Sequence, residues 1–475
     1  AAGRIAGRYV LSVGDMTAGL SVITLVAGCE QNYQTGFAVG FWGAITAPVG
    51  VFMALTGYCM YRWRETRCLS MGQFLEMRYG SKFFRVFCAT LRTIAEMVTN
   101  AIGPAIATNF FIYYLGLPHK IMIFGISLPC YGIVVFLCLT LAMIFIWPGG
   151  RISLLITDCF QGLLSYPIFV VIVGYIILNF SWTGDIAPVM WNRVPGQSFM
   201  NPYDVSQLRD FNMFALVVSL LGSVLNRAGW IGNDTSGAAK TPHEQKMAGV
   251  LGAWRNGFAW MMILLLAIVV IVFMTSPHFV GKNRFPISST DVRQHLSAKV
   301  LEEAVPDPLL RSQIMDEVRK IPDRLTEKDI AGPLSQQKNL DTPYFNTVRQ
   351  ALGDSPEGRY QFQKFRSLFQ QMMMPALVSK IFPVGMLGIF CLLMVMLLIS
   401  TDDSRIFNAS STLMQDVVLP MFKGRLPPEK HLLYLRLTTV GVAIFFLIVS
   451  LFFAQLDYIN MFTTIMCSLW LGGAG

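Results

Sequence analysis

Leu397–Asp416 reads LLISTDDSRIFNASSTLMQD and closes a long apolar run that opens at Phe382. Phe382–Ile399 has the length and composition of a membrane-crossing helix, and it feeds straight into Ser400, Thr401, Asp402, Asp403 and Ser404. Hydroxyls and carboxylates at membrane depth are costly unless they meet a partner, an ion or water. Ser400, Asp403 and Ser404 are spaced i, i+3, i+4, so on a helix they share one face. Hydroxyl, carboxylate and carbonyl oxygens together suit a hard cation. The alternative is a helix end whose polar residues have simply reached cytoplasmic water.

Working outward, the composition belongs to a polytopic, all-α membrane protein. A hydrophobic share of 54%, a charged share of 14% and a mean hydropathy of +0.52 fall outside the soluble range. The formal net charge of +9 is then a statement about topology, because basic residues of membrane proteins collect in cytoplasmic loops. It is not a nucleic-acid signal. Nearly all of the 9 cysteines lie in apolar segments, which implies no disulfide framework. The 5 histidines, at 119, 243, 278, 295 and 431, show no metal-ligand or nucleophile–base spacing. An enzyme is therefore not expected, and no organic cofactor. The expected location is an integral, multi-pass position in a membrane, the inner one if the source is bacterial. No signal peptide is visible, and both ends read as cuts through a longer protein, with the C-terminal end truncated inside an apolar run.

Apolar runs predict spans at Val10–Val39, Gly40–Tyr61, Phe83–Leu115, Ile121–Trp147, Ile152–Asn179, Phe211–Ile231, Phe258–Thr275, Ala376–Pro420 and Leu432–Gln455, with another opening at Asp457. That makes about ten. Gly14, Asp15, Thr17, Ala18, Gly19 and Ser21 make the first half of span one small and polar. Such a helix either opens and exposes carbonyls beside a cavity or packs closely through its small residues. On span three, Arg92, Glu96 and Asn100 recur at i, i+4, i+8, a stripe that faces protein rather than lipid. Arg62, Arg64, Arg67, Arg151, Lys240, Lys246, Lys423, Arg425 and Lys430 follow even-numbered spans, which makes that side cytoplasmic. The domain reading is 1–275 for spans one to seven, 276–371 for an extracytoplasmic, mostly helical insert, and 372–475 for spans eight to ten. Within the insert, Val292–Val305 and Leu309–Ile321 carry apolar residues at helical spacing.

Several local motifs fall at these span boundaries in order. FPVGMLG at Phe382–Gly388 leads to Ser400-Thr401 and Ser404, then Ser410-Ser411 and Asp416. Gly149-Gly150 precedes Thr157-Asp158 and Gln161-Gly162. LSMGQFLEMRYG occupies Leu69–Gly80, and Ala2-Gly3-Arg4 stands just before span one. In these motifs the chain resembles the sodium:solute symporter family, relatives of the sodium/glucose and sodium/proline cotransporters. The resemblance covers essentially everything except the insert. It implies the five-plus-five inverted-repeat core of the LeuT type, with the family's leading helix and last few helices missing.

The resemblance also implies a main cation site between a broken first core helix and the eighth. Its ligands would be the carbonyls of Thr17, Leu20 and Leu397 and the hydroxyls of Ser400 and Thr401. Some members hold a second cation nearer the cytoplasm, and the matching positions are Asp158, Asp403 and Ser404. Asp402-Asp403 departs from the family pattern, and the added charge would either strengthen Na⁺ binding or replace Na⁺ with H⁺. Solute would bind near the midplane, in a neighbourhood including Ser21, Thr24, Glu96 and Asn100, although Glu96 suits an ion pair with Arg92 better than a solute contact. The function so implied is secondary active uptake of a small solute, coupled to inward Na⁺ or H⁺ movement by alternating access, with the lipid bilayer as its setting. The alternative is a transporter-like sensor or membrane subunit that uses 276–371 to bind a protein partner.

Overall fold

The computed structural model describes residues 4–123, 125–191, 200–203, 221, 238–276, 279, 285–321, 341–422 and 427–452. The first apolar run yields two helices, α1 (Arg8–Gly19) and α2 (Val22–Thr35), separated at Leu20–Ser21. Ser21 is extended, with φ −120° and ψ 167°, and its hydroxyl accepts from the Thr24 amide, so α2 begins as a freshly capped helix. Next come α3 (Phe37–Thr56), α4 (Met60–Glu65), α5 (Met71–Tyr79), α6 (Lys82–Asn100) and α7 (Ile102–Leu115). Pro104 has no N–H to give the Asn100 carbonyl, which accounts for the α6–α7 interruption.

The all-helical expectation needs one correction. Lys120–Ile123 (β1) and Ile126–Pro129 (β2) pair antiparallel, with Lys120 opposite Pro129 and Ile123 opposite Ile126. Gly125, at φ +79°, takes the left-handed turn that glycine tolerates. An apolar run too short to span is thus spent on a hairpin, and span four starts at Cys130 rather than Ile121. Helix α8 (Cys130–Asn179) leaves helical geometry only at Gly150, φ 52° and ψ −134°. Residue Gly150 divides it into two membrane-length segments.

Helix α9 (Pro242–Thr275) enters the insert, which is built from α10 (Ser289–Ala304), α11 (Pro308–Arg319), α12 (Thr342–Leu352) and α13 (Pro356–Ile381). Helix α13 runs without a break through 371–372, where the sequence suggested a boundary. It stops at Phe382, held extended by the following Pro383, and α14 (Val384–Thr412) starts after that. A π-helical turn, Leu413–Val418, extends α14, and α15 (Pro428–Phe452) follows. Among the described residues, 6 helices are long and apolar enough to cross a membrane. The protein is an integral, multi-pass membrane protein. Spans predicted at Phe211–Ile231 and from Asp457 lie outside the described residues.

Helix α9 shows which loops share an end of the bundle. At its start, Glu244 binds Arg8 through two oxygens, at 2.5 and 3.1 Å. Nearby, Arg64 donates to the Ala239 carbonyl at 2.7 and 3.1 Å, and Ala6 pairs with Ala239. At the other end of α9, the Met274 carbonyl accepts from Arg293 of the insert at 2.9 Å. Arg293 also pairs with Asp341 at 2.8 Å with both side chains buried, and Tyr33 at the end of α2 donates to Asp341 at 2.9 Å. The insert is therefore locked to one end of α9, and Arg8, Arg64 and Lys240 lie at the other.

Candidate functional site

Helix α14 packs against α8, and both halves of the first span, α1 and α2, pack on α14. The polar end of α14 is consequently inside protein. Ser400 and Thr401 are 1% and 2% exposed, Asp403 is 0% exposed, and Asp158 on α8 is 2% exposed. That removes the reading in which these groups have reached water. Ser400 Oγ donates to Asp158 Oδ1 at 2.7 Å, and Thr401 Oγ1 donates to the Leu397 carbonyl at 2.7 Å. Each hydroxyl spends its proton on a protein acceptor, which leaves its lone pairs, the part that a cation uses.

Asp403 lies within electrostatic reach of Asp158, Arg151 and Asp402. The amide of Ser404 is close, but no well-formed hydrogen bond reaches either carboxylate oxygen among the described residues. Two acids in one buried pocket, one of them unsatisfied, are a costly arrangement unless something positive joins them. Neighbouring Asp402 lies against α7, where a methyl built on Gly103 would sit 3.1 Å from its Oδ1, and it is within electrostatic reach of Cys138 on α8. The two consecutive aspartates thus have different nearest contacts, Asp403 beside Asp158 of α8 and Asp402 against Gly103 of α7.

Of the residues singled out from sequence, Leu397, Ser400, Thr401, Asp158 and Asp403 come together, with Ser404 buried on the same helix. Leu20 is buried at the helix break. Thr17 lies in α1, and its side chain falls outside the described residues. Ser21 and Thr24 bond to each other at 2.8 Å in the cap of α2. Glu96 and Arg92 are buried on α6, while Asn100 ends that helix half-buried.

A second polar cluster was not anticipated. Asp416, on the π-helical turn, accepts from Ser70 at 2.6 Å and pairs with Arg85 at 2.9 Å, and Arg85 also pairs with Glu76 at 2.7 Å. Gly72 lies against the Asp416 carboxyl, where a methyl would come within 2.6 Å of Cγ. Ser70, Gly72, Glu76 and Asp416 all stand in the quoted motifs. What a linear reading lacked was the pairing of one motif with the other and with Arg85.

No protein-family model matches the chain, and no curated protein matches it. Solved structures do. With a TM-score of 0.63 and 14% identity, over 99% of this chain and 79% of the other, it is similar to a Na⁺-coupled sialic acid symporter in a substrate-bound outward-open state. The chain shares the fold of that structure. A manganese transporter from Eremococcus coleocola aligns over 99% of this chain and 92% of its own at 13% identity, but its TM-score of 0.32 carries no argument. At 14% identity the symporter likeness speaks for architecture alone. Activity has to be argued from the site.

Proposed function

We propose that this chain belongs with the sodium:solute symporters, has the LeuT-type inverted-repeat core, and moves a small solute inward by alternating access, driven by Na⁺ or H⁺. The observation that carries the reading is the break at Leu20–Ser21 together with the buried oxygens of Ser400, Thr401, Asp158 and Asp403 on the helices packed around it. In this reading, carbonyls of Thr17, Leu20 and Leu397 and the hydroxyls of Ser400 and Thr401 hold the main cation. Asp158, Asp403 and Ser404 hold a second cation, or a proton, one turn further along. The Ser400–Asp158 hydrogen bond physically joins the two positions.

Each group then has a defined job. A cation at Ser400 and Thr401 ties α14 to the two half-helices of the first span, and its departure frees them. Coupling follows when solute favours the same conformation as the cation, because each ligand then shifts the equilibrium in favour of the other. Solute is proposed to bind beside the break, near Ser21, Thr24, Glu96 and Asn100.

The test is a solute-uptake panel in proteoliposomes with sodium and proton gradients imposed separately. Concentrative uptake under one gradient, lost in Ser400→Ala, is expected. Absence of uptake for every solute class, with the cation still bound, would favour a sensor over a transporter.

A further inference from the structure

Away from the ion pocket, a cleft of about 450 Å³ opens where the insert meets the outer ends of α7, α13 and α14. That is a normal size for a small-ligand pocket. Lys299 and His295 enter it from α10 and Lys380 from the end of α13, with Tyr113, Ser379 and Leu387 among the other walls. None of its lining residues carries a carboxylate. Lys299 is fixed rather than loose: its ammonium donates to the Ile112 carbonyl at 2.7 Å and lies 5.1 Å from the Tyr113 ring centroid. Lys380 is exposed and, among the described residues, makes no hydrogen bond or ion pair.

The three basic groups act on one another. Burial pushes the His295 imidazole below its usual value, and Lys380 and Lys299 add to that push. Burial likewise lowers the Lys299 ammonium, opposed by Glu302 from outside the wall and reinforced by Lys380. Two ammonium groups converging on a cleft whose lining holds no carboxylate repel each other, and an anion placed between them removes the repulsion, accepts charge-assisted hydrogen bonds and favours the protonated form of His295.

We propose that this cleft is a binding site for a phosphate-bearing anion, held by Lys299, Lys380 and His295 and clamping the insert to α7 and α14. Two sources present that chemistry: the headgroup of an anionic lipid and a soluble phosphate compound. The site is separate from the ion pocket, and its occupation does not depend on whether the chain transports solute.

The test is thermal unfolding of the whole purified protein in two settings. In a neutral detergent, inorganic phosphate is titrated against chloride at constant ionic strength. In nanodiscs, phosphatidylcholine alone is compared with phosphatidylcholine containing phosphatidylglycerol. Stabilisation by phosphate assigns a soluble ligand, and stabilisation by phosphatidylglycerol alone assigns the headgroup. In either case the double variant His295→Gln/Lys380→Gln should weaken apparent affinity at least about tenfold. Lys120→Gln, which removes a charge from the neighbouring hairpin, should leave affinity unchanged. The proposal is overturned if neither source stabilises the protein, if the double variant responds as the parent does, or if Lys120→Gln weakens the response equally.

Discussion

If Asp403 belongs to the proposed second cation position, Asp403→Asn should make the cation-free protein more stable and erase the stabilisation that the proposed cation would bring. Asp403 is fully buried, lacks a well-formed hydrogen bond among the described residues, and shares its pocket with Asp158. An uncompensated buried charge costs about 3–5 kcal/mol. Arg151 offsets part of that, being within electrostatic reach of Asp403. The amide keeps the side chain's volume, so no cavity opens, but its own buried polar atoms give back about 1–3 kcal/mol. The net expectation is a gain of about 1–3 kcal/mol without cation. In the parent protein, a cation present at about one hundred times its Kd should add about 2.7 kcal/mol. The assay is thermal unfolding in detergent at fixed pH, with NaCl titrated against choline chloride, and a parallel pH series for the proton case. Parent protein should climb with one of the two ions. Asp403→Asn should start higher and stay flat. A variant that keeps the parent's full cation-dependent rise, or that starts lower, refutes the reasoning and leaves Ser400 and Thr401 as the remaining proposed cation position.

Other perturbations reach different parts of the scaffold. Gly72→Ala places a methyl 2.6 Å from Asp416 Cγ, an overpacking that should cost about 1–3 kcal/mol. The cost should vanish in an Asp416→Ala background, and equal costs in both backgrounds in a double-mutant unfolding cycle would show that the close approach is not what Gly72 serves. Asp341→Ala strands buried Arg293 and should destabilise the insert by about 3–5 kcal/mol, read as faster limited proteolysis within 276–371. Tyr33→Phe, which removes one hydrogen bond to Asp341, should have a clearly smaller effect of about 1–3 kcal/mol. Ser21→Ala removes the cap of α2 and should cost about 1 kcal/mol in unfolding measurements. A neutral result would mean that packing on α14 alone holds the break.

What the sequence made legible followed from patterns that act locally. Hydropathy located the 6 helices among the described residues that are long enough to cross a membrane, because a bilayer imposes a length that few other constraints can mimic, whereas the runs at Val10–Val39 and Phe83–Leu115 are each divided into shorter helices. Small and polar residues from Gly14 to Ser21 left an opened helix and close packing as alternatives, and the Ser21 cap of α2 in the middle of an apolar run decides for a break. The i, i+3, i+4 spacing of Ser400, Asp403 and Ser404 needed only a helix to become one face. What escaped was decided by partners distant in sequence. The hairpin at Lys120–Pro129 has the same apolar residues as a helix start, and only the turn at Gly125 distinguishes it. Asp402 and Asp403 look like one acidic pair, yet the 100° step between consecutive helical residues sends them to different neighbours, Gly103 for one and Asp158 for the other. That divergence bears on coupling. A carboxylate beside α8 and another against α7, one residue apart on α14, cannot change their surroundings independently. In the proposed mechanism, a movement of α14 against the two halves of the first span alters both at once, so that cation release on the Asp403 side and repacking on the Asp402 side would be one event seen from two faces of α14.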